Sequence, residues 1–148
     1  MNTHSTSSRL STFQAVSSWF AQITAAAILG QTLFFKFSAA PESVYIFTTL
    51  GVEPWGRLAT AALESIAVIL LLIPRAAVFG AILAAGLMVG AIGSHLTRLG
   101  IVIKDDGGLL FGLGVVTLFA ALVVVAIRRR QLLDSVWTLR GTLAPASS

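Results

Sequence analysis

Three ionisable side chains, Lys36, Glu64 and His95, sit inside apolar stretches where a lone charge is expensive. An ammonium, a carboxylate and an imidazole held together can pair, relay a proton or stabilise a developing anion. Glu64, His95 and Lys36 are therefore the candidate catalytic groups. Three further polar positions are candidate ligand-binding groups. Gln31, in the same stretch as Lys36, is expected in the interior, Thr60 lies one helical turn from Glu64, and Arg57 lies two turns away. A plainer reading stands beside this one. The Lys–Glu–His cluster could pin helices together with no ligand, and Lys36 is near enough to a helix end to snorkel. Asp105 and Asp106 read as solvated loop charge, with helix capping or closure over a pocket as alternatives.

These residues need elements to hold them, and composition says which kind. The chain has 148 residues, 56% hydrophobic and only 11% charged. An ordinary soluble domain carries about a quarter charged residues. The length allows one domain. There is no cysteine, which excludes a disulfide framework, a thiolate metal site and a cysteine relay within this chain. Two histidines, one of them His4 in the N-terminal tail, do not make a histidine-rich metal site, so no metal is expected. The net charge of +4 is not arranged as a nucleic-acid patch. The expected surroundings are a lipid bilayer, with no nucleic-acid partner.

Four apolar stretches are long enough to cross it, at about 18–37, 58–73, 76–99 and 109–127. Each approaches the ~20 residues that span ~30 Å of hydrocarbon as a helix. They must be helical, because lipid-exposed strands would leave backbone groups unpaired. The expected fold is an all-α membrane protein, an antiparallel bundle of four transmembrane helices over residues 17–130. Residues 1–16 read as a flexible polar tail. They lack the cationic start and cleavage site of a signal peptide, so Met1 is expected to stay on the mature chain. Residues 131–148 read as a C-terminal cytoplasmic tail. Pro74 and Arg75 mark a tight hairpin turn, and Val44 to Leu50 could form a short interfacial helix. Gly86 and Gly90, with Gly93 near the same face, and again Gly108 and Gly112, carry the spacing that lets helix backbones approach closely.

Alternating topology fixes relative depth. Glu64 lies seven residues after Arg57, roughly 10 Å in from one face. Lys36 ends the first span and His95 nears the end of the third, so all three fall in the same half of the bilayer. Arg9, Arg75, Arg128, Arg129, Arg130 and Arg140 mark one face; Lys36, Arg57, Arg98 and Lys104 mark the other. The positive-inside rule puts the first face, with both termini, in the cytoplasm. Glu42, Glu53, Glu64, Asp105 and Asp106 then lie on or near the outer side. Trp19, Trp55 and Trp137 fall near span boundaries, as interfacial tryptophans do.

The first span ends in GQTLFFKFSAAPESV, with Gly30, Lys36 and Pro41. FTTLGVEPWGR follows, then ALESIAVILLLIPR with Glu64 and the Pro74–Arg75 turn, then GAILAAGLMVGAIGSHL with His95. This ordered set of motifs resembles the DoxX / DoxX-like family of small four-helix bacterial membrane proteins. The resemblance covers about Phe34 to Leu99, together with overall length and helix count. It implies a bacterial inner-membrane protein associated with membrane oxidoreductase complexes, including thiosulfate:quinone oxidoreductases. Its family-like polar positions are Lys36, Glu64 and His95. Lacking cysteine, this chain would need a bound quinone or a partner for sulfur redox chemistry.

Three functions compete. The first is a quinone- or small-lipophile-binding subunit of a membrane oxidoreductase assembly, an oxidoreductase-associated subunit rather than a self-contained enzyme. His95 would hydrogen-bond a ring carbonyl, Lys36 would stabilise the anion and Glu64 would relay a proton. The second is a proton-coupled small-molecule transporter built on Glu64, although cationic neighbours would keep that carboxylate ionised. The third is a structural or assembly protein without a ligand. Membrane oxidoreductase partners and a homo-oligomer are the further partner expectations.

Overall fold

The structure, a computed structural model, describes residues 10–143, and side chains through residue 129. Residues 1–9 of the expected tail, with His4 and Arg9, and residues 144–148 lie outside the described residues, as do the side chains of Arg130, Trp137 and Arg140. Five α-helices follow in order: α1 (Thr12–Phe37), α2 (Pro41–Thr49), α3 (Trp55–Leu72), α4 (Ala77–Ser94) and α5 (Leu109–Leu143). A π-helical turn, His95–Leu99, extends α4. Four of these helices are long and apolar enough to cross a membrane, with spans Thr12–Phe37, Trp55–Leu72, Ala77–Leu99 and Leu109–Arg129. The protein is thus an all-α, multi-pass membrane bundle.

Each difference from the expected boundaries has a local cause. Helix α1 starts at Thr12, inside the stretch expected to be a flexible tail. Ser11 Oγ accepts from Gln14 N at 3.2 Å while Gln14 Oε1 accepts from Ser11 N at 3.1 Å. This reciprocal capping box satisfies donors that a helix end otherwise leaves unpaired. Helix α5 runs on to Leu143, past the boundary expected near residue 130. Nothing between Arg128 and Arg140 breaks a helix, and Leu, Gln and Arg sustain one. Pro41 stands at the first turn of α2, where its missing N–H is no loss. The chain turns out of α2 at Gly51, whose φ of +77° favours glycine.

The spanning helices pack as a ring, α1 against α3, α3 against α4, α4 against α5, and α5 back against α1. Connectivity makes every neighbouring pair antiparallel. The short α2 touches α1, α3 and the π-turn. It therefore lies at the end away from the chain termini, called the distal end below. The core is mostly alanine, with Ala25, Ala67, Ala77, Ala81, Ala84 and Ala121 sealed among Leu29, Leu71 and Val124. Small residues let helices pack closely where lipid supplies no hydrophobic drive between them. The large apolar side chains, such as Phe20, Phe119 and Val89, point outward, as a lipid solvent demands.

Close backbone contact occurs at a different glycine from the ones the spacing suggests. A Cβ on Gly80 would lie 2.6 Å from Leu71 N and 2.9 Å from Ala67 O, both on α3. Gly80 sits just past the Pro74 hairpin, where α3 and α4 are forced together. Gly86, Gly90, Gly93 and Gly112 have nothing within 4 Å of an added Cβ. Gly86 and Gly90 border open space instead. Substituting Gly80→Val should lower the thermal midpoint in detergent by the equivalent of about 1–3 kcal/mol, as overpacking does. Gly86→Ala should stay within about 0.5 kcal/mol of the parent. Equal destabilisation by the two substitutions would refute this account of the packing.

Candidate functional site

The open space is a cavity of about 830 Å³ that draws its walls from α1, α2, α3, α4 and α5. Lys36, Glu64 and His95 all border it. Its other walls are largely apolar, including Phe35, Ile46, Phe47, Leu83, Leu87 and Phe111. Ligand sites commonly occupy roughly 300–1,000 Å³, mostly apolar with a few placed polar groups.

Glu64 is 3% exposed on α3. Lys36 Nζ, in the last turn of α1, lies 2.9 Å from Glu64 Oε2 and 3.1 Å from Oε1. Thr32 Oγ1 lies 3.1 Å from Oε2 and shares its one hydrogen between that oxygen and the Leu29 carbonyl at 2.8 Å. Lys36 is therefore drawn inward and does not simply snorkel. Thr32 is a site residue that sequence reasoning passed over. It stands four residues before Lys36, hence on the same helix face, and that spacing was available.

His95 opens the π-turn and is buried. Its Nδ1 lies 2.7 Å from the carbonyl oxygen of Gly100. The N–H of Gly100 in turn donates to the His95 carbonyl at 2.9 Å. The two residues close on each other, and Gly100 adopts φ +81°, which favours glycine. The His95 ring stands edge-on to Phe111 at 5.7 Å. Glu64 makes no hydrogen bond to His95; the carboxylate is taken up by Lys36 and Thr32.

The other three sequence candidates divide. Thr60 borders the cavity, but its hydroxyl donates to the Gly56 carbonyl. Gln31 also borders the cavity and is exposed, not the interior residue expected. Arg57 does not line the cavity. Its NH2 nitrogen pairs with Glu53 Oε1 at 2.8 Å, Nε donates to the same carboxylate, and NH1 donates to the Lys36 carbonyl. Glu53, four residues earlier in the turn that leads into α3, reaches it before Glu64, two turns along the helix, can. Arg57 thus helps to fix the end of α1 that carries Lys36.

Asp106 caps α5 and also borders the cavity. Oδ1 accepts from Ile103 N at 2.8 Å and Gly108 N at 2.9 Å, and Oδ2 accepts from Leu110 N at 3.0 Å. Of the three roles weighed for it, solvated charge, capping and closure over a pocket, these bonds show capping. The N–H of Leu110, then that of Ile103, holds its carboxyl below the usual carboxylate range, with Gly108 and charge on His95 adding and desolvation opposing. Lys104 ties the same loop to α2 through the Pro41 carbonyl at 3.3 Å. Its ammonium also sits 5.5 Å above the Tyr45 ring.

Among the described residues no cluster of three or more His, Asp or Glu could hold a metal ion. No family model matches the chain, and neither a curated protein nor a solved structure matches it.

A depressed folded carboxyl contributes stability above its unfolded value of about 4 and loses it as pH falls through the folded value. The thermal midpoint of the parent should therefore drop on acidification below about pH 4. Asp106→Ala should lower the midpoint at neutral pH by the equivalent of about 1–2 kcal/mol, and its acid drop should be shallower than the parent's. Parallel pH–stability curves for the two proteins would rule out Asp106 as a titrating cap.

Proposed function

We propose that this chain is a DoxX-like integral membrane protein whose distal cavity binds a quinone or similar small lipophile, as a subunit of a membrane oxidoreductase assembly. One observation carries the reading: an apolar cavity of about 830 Å³ is bordered by a buried Lys36–Glu64 pair and by His95. An aromatic headgroup with polar oxygens on an apolar tail matches such a lining. Lys36 keeps ammonium hydrogens beyond those given to Glu64 and can meet an oxyanion. Glu64 holds Lys36 at the wall, so we assign it positioning ahead of proton relay. A cation exporter fits less well, because the carboxylate it would need already has an ammonium at 2.9 Å.

Titration of the purified full chain with a ubiquinone or menaquinone analogue should give saturable binding. Gly90→Leu should abolish it by filling the cavity, since nothing lies within 4 Å of that glycine to force the fold apart. The double replacement Lys36→Met with Glu64→Leu removes the ion pair without leaving a buried lone charge. If it folds and binds as the parent does, the polar groups are only a staple and the proposal fails.

We further place both termini at the cytoplasmic face of a bacterial inner membrane. Lys36 and Arg57, two of the four cations of the distal face, are committed to ion pairs with Glu64 and Glu53. Arg98 and Lys104 remain on that face against the arginines near the termini, which sharpens the positive-inside asymmetry. A fluorescent protein fused after Ser148 should fluoresce, and alkaline phosphatase fused there should be inactive. Active phosphatase reverses the orientation.

A further inference from the structure

A neutral imidazole carries one N–H, and the hydrogen bond made by one nitrogen decides which nitrogen bears it. His95 Nδ1 lies 2.7 Å from the Gly100 carbonyl oxygen. A carbonyl oxygen only accepts, so Nδ1 donates and holds the proton. Nε2 of the neutral ring is then a lone pair, an acceptor in need of a donor. Among the described residues Nε2 meets no hydrogen-bond partner, yet it is not sealed from accessible space. The ring itself borders the cavity while only 8% exposed.

Most hydroxyls along the cavity wall are engaged elsewhere, and that of Ser43, which makes no side-chain hydrogen bond, is not bonded to Nε2. Ser94 donates to the Gly90 carbonyl at 2.9 Å, and Thr60 donates to the Gly56 carbonyl. Thr32 has one hydrogen, directed at the Leu29 carbonyl at 2.8 Å or at Glu64 at 3.1 Å. The Lys36 ammonium is drawn to Glu64. None of these groups, nor the Gln31 amide on the same wall, hydrogen-bonds Nε2, so the donor it lacks is one that an occupant of the cavity can supply.

We infer that the cavity selects a ligand presenting a hydroxyl hydrogen to His95 Nε2, the phenol or quinol form of a lipophile, over its carbonyl or ether counterpart. This deepens the ligand site proposed above and rests on it. A quinone carbonyl facing Nε2 sets lone pair against lone pair, and an ether supplies no hydrogen. A buried acceptor left unpaired by the wrong ligand discriminates strongly against it. The role is the reverse of donation to a ring carbonyl, which the sequence alone suggests for this histidine. Gly100 is what reverses it, by claiming the one proton on the neutral ring.

The test compares three tail-matched probes on the full-length protein at about pH 8, above the usual histidine range. They are para-decylphenol, para-decylanisole and decyl benzoquinone. The phenol should bind roughly tenfold or more tighter than the anisole and the benzoquinone. His95→Phe should bring the three affinities together while circular dichroism confirms the fold. His4→Ala leaves His95 as the only histidine, so nitrogen-15 NMR of labelled imidazole can read its tautomer. The expected spectrum is that of Nδ1–H, with the Nε2 signal moving on addition of the phenol and not of the anisole. An Nε2–H tautomer, or equal affinities in the parent protein, overturns the selection while leaving the ligand site standing. Failure of all three probes to bind overturns the site as well as the selection.

Discussion

Glu64 is a carboxylate buried in a membrane-spanning helix, and the distal half of the bundle is organised around that charge. An unpaired charge at this depth is costly, so the fold must bring a cation to it. Lys36 comes from the end of α1, and Thr32, one turn earlier, supplies a hydrogen bond to the same carboxylate. The end of α1 is then held in turn by Arg57, which donates to the Lys36 carbonyl while paired with Glu53. Two ion pairs, one from α1 to α3 and one from α3 to the turn before it, thus hold the end of α1, and α2 begins from there.

The two ends of the bundle solve the packing problem differently. Toward the termini the helices meet through alanine and Gly80, and polar groups tie the corner. Arg128 donates to Ser18 Oγ at 2.7 Å and to the Pro74 carbonyl at 2.6 Å, and Gln22 donates to Ser18. This joins α5, α1 and the α3–α4 hairpin. At the distal end the same four helices leave a hollow. Gly86 and Gly90 face it, and the absence of side chains there adds width where bulk would close it. A bundle that only needed to stand in a membrane could be as closely packed at this end as at the other.

Much of the scaffold was legible in the sequence because its cause is local. Span length, apolar content and the Pro74 turn depend on neighbours in the chain, and alternation alone put Lys36 and Glu64 in one half of the bilayer. What was not legible depends on which of two acceptable partners wins in space. Arg57 stands between Glu53, in the turn before α3, and Glu64, on α3 itself, and only three-dimensional geometry favours the nearer acid. The Gly86–Gly90 spacing is the same whether a helix or a void lies opposite. The tautomer of His95 rests on a carbonyl five residues away, brought round by a π-turn that no periodicity announces. The start of α1 was readable from Ser11 and Gln14, a capping box hidden within a stretch whose serines and threonines suggested a tail.

The separation between Glu64 and His95 bears on whether the polar groups are a staple or a site. A staple of α1 to α3 is complete with Lys36, Glu64 and Thr32, and His95 adds no bond to it. His95 is instead fixed by its own device, a π-turn closed on a glycine with positive φ. Such turns depart from regular helical hydrogen bonding and occur often at functional sites. The device engages one nitrogen and leaves the other with neither a protein partner nor a sealed wall. A residue kept only for structure would gain by satisfying both. Stapling accounts for the ion pair, whereas a bound molecule accounts for the ion pair, the hollow and the half-satisfied histidine together.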